Sequence, residues 1–408
     1  MHAFSPAAST TRAGRSPALA IGATAFAFLV TMMGTTLPTP LYSIYAQELA
    51  FSPLTVTILF AVYAVGVVAA LAVFGRLSDD VGRRPVLLLS VALAAVSAVL
   101  FLLPSTLPVF VVARVISGLS AGLMTGTGTA AVIDLFPPDR KAVGGMLAVA
   151  VNTGGLGLGT LSAGVIADVT SSPLTIPYAV NLALAAVAAA GLWIFAPAPA
   201  TRPTWRLRPR RLQVPASIRG AFVTAVLAAG TAFAVTGVLT AVSALFLTRY
   251  LGTTSHSMAG LVVFLTFLFM AAGQLLARRM STATAMLAGC LGLVPAAGLL
   301  AFALATTVLA PLLASAVVLG VAGGLCLNAS LATTVERDRL AMVALGEGER
   351  QRGSGVARVR RDLLCAVQMP ERGIGDATKD LPSGSWSIVA AISLVQAETA
   401  GTRARSTR

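Results

Sequence analysis

Residues 75–85 read GRLSDDVGRRP, and this short stretch decides how the rest of the chain is interpreted. The chain as a whole is 56% hydrophobic and only 11% charged, whereas a soluble domain carries charge at about every fourth residue. Five of these eleven residues are nevertheless charged, namely Arg76, Asp79, Asp80, Arg83 and Arg84. So much charge at one place in so apolar a chain predicts a loop between segments that avoid water.

Long charge-free stretches flank this loop and recur along the chain, whose mean hydropathy is +0.86. A helix needs roughly 20 apolar residues to cross a bilayer. Runs such as 61–73 and 182–195 lack the alternation of apolar and polar residues that a membrane β-strand requires. The sequence therefore predicts an all-α, polytopic membrane protein with ten transmembrane helices, at 17–40, 54–75, 86–104, 108–134, 141–168, 175–196, 219–248, 256–277, 283–304 and 308–331.

The basic residues predict the orientation. With the N-terminus in the cytoplasm, Arg249 is the one basic residue of the outside loops, and the inside loops hold Arg12, Arg15, Arg76, Arg83, Arg84, Arg140, Lys141, Arg202, Arg206, Arg208, Arg210, Arg211, Arg219, Arg278 and Arg279. This bias follows the positive-inside rule and predicts a multi-pass protein of the plasma membrane. The net charge of +14 then reflects topology and contact with lipid headgroups. It does not indicate nucleic-acid binding, because no basic stripe with interleaved aromatic residues is present.

The chain divides at residues 197–218, a segment rich in proline and arginine that follows the sixth predicted helix. We predict a cytoplasmic N-terminus at 1–16, a six-helix lobe at 17–196, a basic cytoplasmic linker at 197–218 and a four-helix second lobe at 219–333. Six helices, a basic linker and further helices are typical of a two-lobed secondary transporter.

Residues 334–408 differ from everything before them, because they are rich in charges of both signs. Their one apolar patch, 386–395, is too short to span a bilayer. We predict a disordered cytoplasmic tail. If the two lobes were alike, the second would also have six helices. The apolar segments of the sequence predict only four there.

The opening stretch resembles the loop signature of the major facilitator superfamily, G-x-L-x-D-x-x-G-R-[RK], which lies between the second and third helices. The matching positions are Gly75, Leu77, Asp79, Gly82, Arg83 and Arg84. The resemblance covers about residues 17–333 and implies a two-lobed bundle that works by alternating access. It also implies that Asp79 caps the eleventh helix and holds the cytoplasmic side shut. The alternative is a solvated loop that serves topology only, which we favour for Arg76 and Asp80.

The fourth predicted helix carries Arg114 in VVARVISGLSAG, and a charge within a span is costly enough to suggest function. Arg114 and Gly118 resemble the family motif R-x-x-x-G, in which the arginine helps to couple protons to movement. The alternative is an arginine that extends to the outer interface. Further along, Thr125 lies in GLMTGTGTAA, on a face that either lines a cavity or packs tightly.

The fifth predicted helix carries NTGGLGLGTLSAG at 152–164. Gly155, Gly159 and Gly164 resemble the glycine motif of antiporters, although Thr160 stands where the family has proline. Glycines at this spacing also make a seam for close helix contact, which is the alternative interpretation. Asn152 either faces the central cavity or bonds a neighbouring helix.

Acidic residues avoid the middle of every span within 1–333, and Asp134 and Asp168 lie at helix ends. A buried carboxylate is the usual partner of a cationic substrate, so its absence argues against one. Asp134 joins Arg114 as a candidate for proton coupling.

The sequence thus predicts a secondary transporter of a small lipophilic or weakly polar compound, favouring efflux by proton antiport, with membrane lipids and a proton gradient as partners. The alternatives are a solute uptake permease and a truncated or frameshifted remnant that transports nothing. The chain has no nucleophile motif, nucleotide-binding loop or metal-ligand pair, which argues against an enzyme, a cofactor and a metal site. The substrate's identity and the oligomeric state stay open.

Overall fold

The structure, a computed structural model, describes residues 16–49, 52–75, 77–103, 106–198, 219–250 and 255–333. Several predictions concern residues outside this description, namely those for 1–15, for most of the basic linker and for the tail at 334–408. Arg76 and the side chain of Arg249 also lie outside it. The described part of the chain is helical. Its helices are α1 Pro17–Thr36, α2 Pro38–Glu48, α3 Pro53–Phe74, α4 Leu77–Val81, α5 Arg83–Leu102, α6 Leu107–Asp134, α7 Lys141–Val169, α8 Ile176–Phe195, α9 Arg219–Tyr250, α10 His256–Ala277, α11 Thr282–Thr306 and α12 Leu309–Thr333.

Ten helical segments in these ranges are long and apolar enough to cross a membrane, which confirms the predicted number of spans. The helices α1 and α2 together form the first of them, Pro17–Glu48. The short α4 lies in the charged loop between α3 and α5. The turn between α11 and α12 is made at Thr307, whose φ of 54° is left-handed and ends α11.

The first span extends beyond residue 40, where the sequence predicted its end. The helix α1 ends at Thr36, and the chain continues as a second helix, α2, which has Pro38 in its first turn. Proline is accepted there because the N–H it lacks has no partner in a new helix. The prolines therefore interrupt the span without ending it, and the predicted boundary was wrong.

Buried side chains form separate clusters in the first six spans and in the last four of the described part. Phe28, Met124 and Leu192 belong to a cluster among the first six spans. Leu239 and Leu300 belong to a cluster among the last four. We call these groups of spans the first half and the second half. The predicted lobes and their boundaries stay a prediction.

The halves meet mainly along α7 and α10, which run antiparallel and form what we call the α7–α10 seam. Asp168 on α7 lies beside His256 on α10 at one end of the seam, which we call the Asp168 end. Ala142 lies beside Arg278 at the other end. That second end is on the same side of the bundle as Arg83, and we call it the Arg83 end. The sequence predicts that the Arg83 end is cytoplasmic.

Candidate functional site

Arg114 lies about two turns into α6 and is only 1% exposed. Its Nε donates a hydrogen bond of 2.7 Å to the hydroxyl of Tyr42, and its Nη1 donates one of 2.8 Å to the carbonyl oxygen of Thr35. The guanidinium carbon lies 5.3 to 5.8 Å from four ring centroids, those of Tyr42, Phe60, Tyr63 and Phe101. Arg114 is therefore held inside the first half and does not extend to the interface, as one alternative had it.

The charge of Arg114 has no counter-ion among the described residues, since the ion pairs found there involve other groups. Its Nη2 is buried and makes no hydrogen bond in this part of the chain. Aromatic faces attract a guanidinium but offset only part of the cost of burying a charge. The site is thus a fixed cation with an unused donor.

Arg114 contacts the first span at the break between α1 and α2. Pro38 and Pro40 have no N–H, so the helical hydrogen-bond pattern is interrupted where they follow α1. Thr35, just before the break, offers its carbonyl oxygen to the guanidinium, and Tyr42 on α2 offers its hydroxyl. Arg114 therefore contacts the first span on both sides of its break.

The glycines of α7 face two different neighbours. A Cβ atom at Gly155 would lie 2.7 Å from the carbonyl oxygen of Leu29 on α1, and one at Gly159 would strike the carbonyl oxygen of Met33. A Cβ atom at Gly164 would strike the carbonyl oxygen of His256 on α10. The glycines thus serve close helix packing in this structure, and their part in movement stays a prediction.

Thr160, where the family motif has proline, lies in the same seam. Its hydroxyl is buried, donates to the carbonyl oxygen of Gly157 at 2.8 Å and lies 3.3 Å from that of Gly260 on α10. Proline could not supply this hydroxyl. The departure from the motif therefore adds a polar contact between the two halves.

Gly118 belongs to a different packing contact, between α6 and α3. A Cβ atom there would strike the carbonyl oxygen of Tyr63 and would lie 3.0 Å from the Cα of Gly66. Small residues let two membrane helices approach this closely. Gly118 thus fixes the distance between α6 and the helix that carries two of the rings around Arg114.

The two predicted cavity residues lie on neighbouring helices. Thr125 of α6 is half-buried, and its hydroxyl lies 3.9 Å from the sulfur of Met32 on α1. Asn152 of α7 is half-buried, and its Oδ1 accepts no hydrogen bond from the described residues. The next residue, Thr153, accepts a hydrogen bond of 3.3 Å from Gln274 of α10. Contact of Thr125 and Asn152 with substrate stays a prediction.

The charged loop forms a network at the Arg83 end. Arg83 lies 3.0 Å from Asp79 and 3.3 Å from Asp134, and it donates a hydrogen bond of 2.6 Å to Ser78. The turn between α4 and α5 is made at Gly82, whose φ of 97° disfavours any other residue. All of these groups belong to the first half. The partner that the resemblance implies for Asp79, an eleventh membrane helix, is not among the ten candidate spans of the described residues.

Two further observations concern this end. Arg84 stacks on the ring of Trp193, 4.8 Å from its centroid, and donates a hydrogen bond to the Trp193 carbonyl oxygen. Asp134 ends α6, so ~30 Å of helix separates it from Arg114 at 1.5 Å per residue. The structure therefore does not bring the two predicted proton-coupling residues together.

Among the described residues, Asp168 makes the densest polar contact between the halves, and the sequence predicted only that it lies at a helix end. Its carboxylate accepts hydrogen bonds from the main-chain N–H groups of His256 and Ser257, at 2.7 and 2.8 Å. Ser255 donates its hydroxyl to the same carboxylate at 2.9 Å. The serines that precede the apolar run of α10 are a signal for a helix start, but they do not tell which carboxylate meets it.

The family model of the Major Facilitator Superfamily matches residues 24–367, most of the chain. The chain belongs to the Major Facilitator Superfamily. It is therefore a multi-pass membrane protein of a family of transporters, which are not enzymes. Membership also implies a small-molecule substrate. The resemblance carried by residues 75–85 is thus confirmed at the level of the family.

Two relatives of this family member are named for drug resistance. The quinolone resistance protein NorA of Staphylococcus aureus strain Mu50 is 25% identical over 130 residues, 32% of this chain and 34% of NorA. The class D tetracycline resistance protein of Salmonella ordonez is 45% identical over 76 residues, 19% of each chain. The match to NorA thus spans about a third of that protein's length.

The fold is shared with solved structures of a bacterial homologue of the human lysosomal transporter Spinster. Its inward-facing, occupied conformation has a TM-score of 0.56 at 17% identity, covering 78% of this chain and 74% of the homologue. The unoccupied form has a TM-score of 0.57 at 18% identity, with the same coverage. The all-α, major-facilitator-like fold predicted from the sequence is confirmed.

Proposed function

We propose that this transporter exports a small lipophilic or weakly polar compound across the plasma membrane in exchange for protons. The observation that carries the proposal is Arg114, a buried cation with no counter-ion among the described residues. A fixed positive charge with no carboxylate beside it repels a cationic substrate and accepts a neutral one. The names of the two relatives support efflux as the direction, over the parts of the chain that they match.

Movement in this proposal is a rocking of the first half against the second half. Alternating access in two-lobed transporters is largely a rigid-body motion around a central site. The α7–α10 seam is the surface along which the halves would turn. Gly164 allows the close approach to α10 that such a surface needs, whereas Gly155 and Gly159 allow α7 to pack closely on α1.

Arg114 would couple this motion to charge. Its two hydrogen bonds hold Thr35 and Tyr42 on either side of the break in the first span. A shift of that span would break both bonds and leave the cation with fewer partners. A substrate oxygen that accepts from Arg114, or a proton that adds positive charge beside it, therefore changes the free energy that the first span needs to shift.

Asp134 would respond to protons separately, at the Arg83 end. Its carboxylate is 54% exposed and is paired with Arg83. Protonation would remove this ion pair and loosen α6 from the charged loop. Thr125 and Asn152 would offer a hydroxyl and an amide to the substrate, which suits a weakly polar compound.

The test is transport by the purified chain in liposomes with an imposed pH gradient, using a neutral lipophilic dye and a cationic dye. We expect the neutral dye to be moved against the direction of proton flow. Arg114→Ala leaves a buried hydroxyl and a carbonyl oxygen unpaired, so we expect at least about a tenfold loss of proton-driven transport. Arg114→Lys keeps the charge and should retain part of the activity.

Arg140→Ala is the matched control, because Arg140 is exposed and its one described ion pair is with the adjacent Asp139. It should transport at the wild-type rate. Unchanged pH-driven transport in Arg114→Ala would reject the role of Arg114. Dye movement in the same direction as the protons would favour the uptake permease, and no transport under either gradient would favour the remnant.

A further inference from the structure

The start of α10 is completed by a residue from the other half of the molecule. The first N–H groups of a helix have no partner within the helix. Ser255 caps α10 in the ordinary way, by accepting the N–H of Met258 at 3.3 Å. The N–H groups of His256 and Ser257 instead donate to Asp168 of α7, at 2.7 and 2.8 Å.

Both oxygens of the Asp168 carboxylate are occupied. Oδ1 accepts the His256 N–H and lies 2.8 Å from the Nδ1 of its ring. Oδ2 accepts the N–H and the hydroxyl of Ser257, the latter at 2.6 Å, and the hydroxyl of Ser255. The side chain is 23% exposed, so water competes less for these bonds than at an open surface. A carboxylate also interacts favourably with the positive end of a helix dipole.

The two ends of the α7–α10 seam are held differently. From Asp168 towards the middle of the membrane, α7 and α10 pack closely. Gly164 lies against the carbonyl oxygen of His256, and the hydroxyl of Thr160 lies 3.3 Å from the carbonyl oxygen of Gly260. Towards the Arg83 end, the described polar contacts are two longer hydrogen bonds, one of 3.5 Å from Arg278 to the carbonyl oxygen of Ala142 and one of 3.3 Å from Gln274 to the hydroxyl of Thr153. The halves are thus fastened more firmly at the Asp168 end.

We propose that Asp168 is a latch between the two halves, which keeps the Asp168 end of the transporter closed and must release α10 for that end to open. An aspartate suits this task because its hydrogen bonds with N–H and hydroxyl groups reform each time the helices meet. The inference rests on membership of the family and on this geometry. It does not depend on which compound is transported or on proton coupling.

The experiment measures how fast a cysteine beneath the latch is labelled. Thr160 is buried in the seam, ~12 Å of helix below Asp168, and Thr160→Cys is close in size. The variant is made in a background in which Cys290, Cys326 and Cys365 are replaced by alanine. A membrane-impermeant maleimide is applied to vesicles of each orientation. We expect Asp168→Asn to raise the labelling rate from the Asp168 side at least about threefold.

Three controls separate release of the latch from other effects. Asp168→Glu keeps the charge and should label as slowly as wild type. Asp139→Asn makes the same chemical change at an exposed carboxylate and should have no effect. Ser90→Cys is a reporter of folding, since Ser90 is buried between α5 and α6 and bonds the carbonyl oxygen of Ser120.

An equal labelling rate of Thr160→Cys with and without Asp168→Asn, while Ser90→Cys stays protected, would overturn the proposal. If Asp168→Asn also exposes Ser90→Cys, the fold has been lost and milder variants decide. Ser257→Ala and His256→Ala each remove one side-chain contact and leave the main-chain bonds. A faster reaction at Thr160→Cys alone would then support the latch, and no change would reject it.

Discussion

Asp79 lies in the loop between α3 and α5 and pairs with Arg83 on the next helix, whereas Asp168 ends α7 and holds the first turn of α10. The Asp79 side chain is 58% exposed, and its ion pair joins residues four positions apart. The Asp168 side chain is 23% exposed, and its partners are nearly ninety positions away in the sequence. The same functional group thus makes a local contact at one end of the molecule and a contact between halves at the other.

This difference shows that the end of the molecule with more charged residues is not the end at which the two halves are held together more firmly. The Arg83 end has the dense charge, but exposed ion pairs contribute about 0–1 kcal/mol each. The Asp168 end has one carboxylate, and two of its partners are main-chain N–H groups, which only a substitution by proline would remove. We therefore expect the structure to be more sensitive to changes at the Asp168 end.

The largest effect is expected from Gly164→Val. Its side chain would strike the His256 carbonyl oxygen and would lie within contact of Ser257, so α7 and α10 would separate beside Asp168. Overpacking of this kind costs ~1–3 kcal/mol. Thermal unfolding of the purified protein should show a lower midpoint, and dye transport should fall at least about tenfold.

Gly154→Val is the matched control for this change, because nothing lies within 4 Å of a Cβ atom at Gly154. It adds the same side chain to the same helix and should leave both the unfolding midpoint and transport near wild type. Equal losses in the two variants would mean that α7 tolerates no added volume anywhere. The seam at the Asp168 end would then have no special weight.

A smaller effect is expected from Asp79→Asn, which sharpens the comparison from the other end. It removes an exposed ion pair, so the protein should insert and fold normally. If Asp79 also holds the cytoplasmic side shut, as the family resemblance implies, transport should slow by about two- to threefold. Transport at the wild-type rate would show that the loop serves topology only.

The sequence predicted the spans well because hydrophobic length is a local property. It missed the continuation beyond residue 40, since Pro40 was interpreted as an end although α2 accommodates it. Arg114 was identified as a charge within a span. Its environment was beyond prediction, because Tyr42, Phe60 and Phe101 come from three different helices.

The Asp168 contact shows a stricter limit. An aspartate at the end of one helix and serines at the start of another are both visible in the sequence. Their meeting depends on how the first half packs against the second half, and no local pattern records that. Asp79 was selected over Asp168 because it matched a known motif, which says nothing about contacts that the motif does not contain.

The most direct measurement is the distance between spin labels across the seam in the full-length protein. One pair, at Val165 and Leu261, reports on the Asp168 end, and a second pair, at Val143 and Leu276, reports on the Arg83 end. We expect Asp168→Asn to add a longer distance for the first pair, and Asp79→Asn to leave that pair unchanged. Identical distances for the first pair in wild type and Asp168→Asn, or an equal shift in both variants, would contradict the claim that Asp168 fastens the two halves.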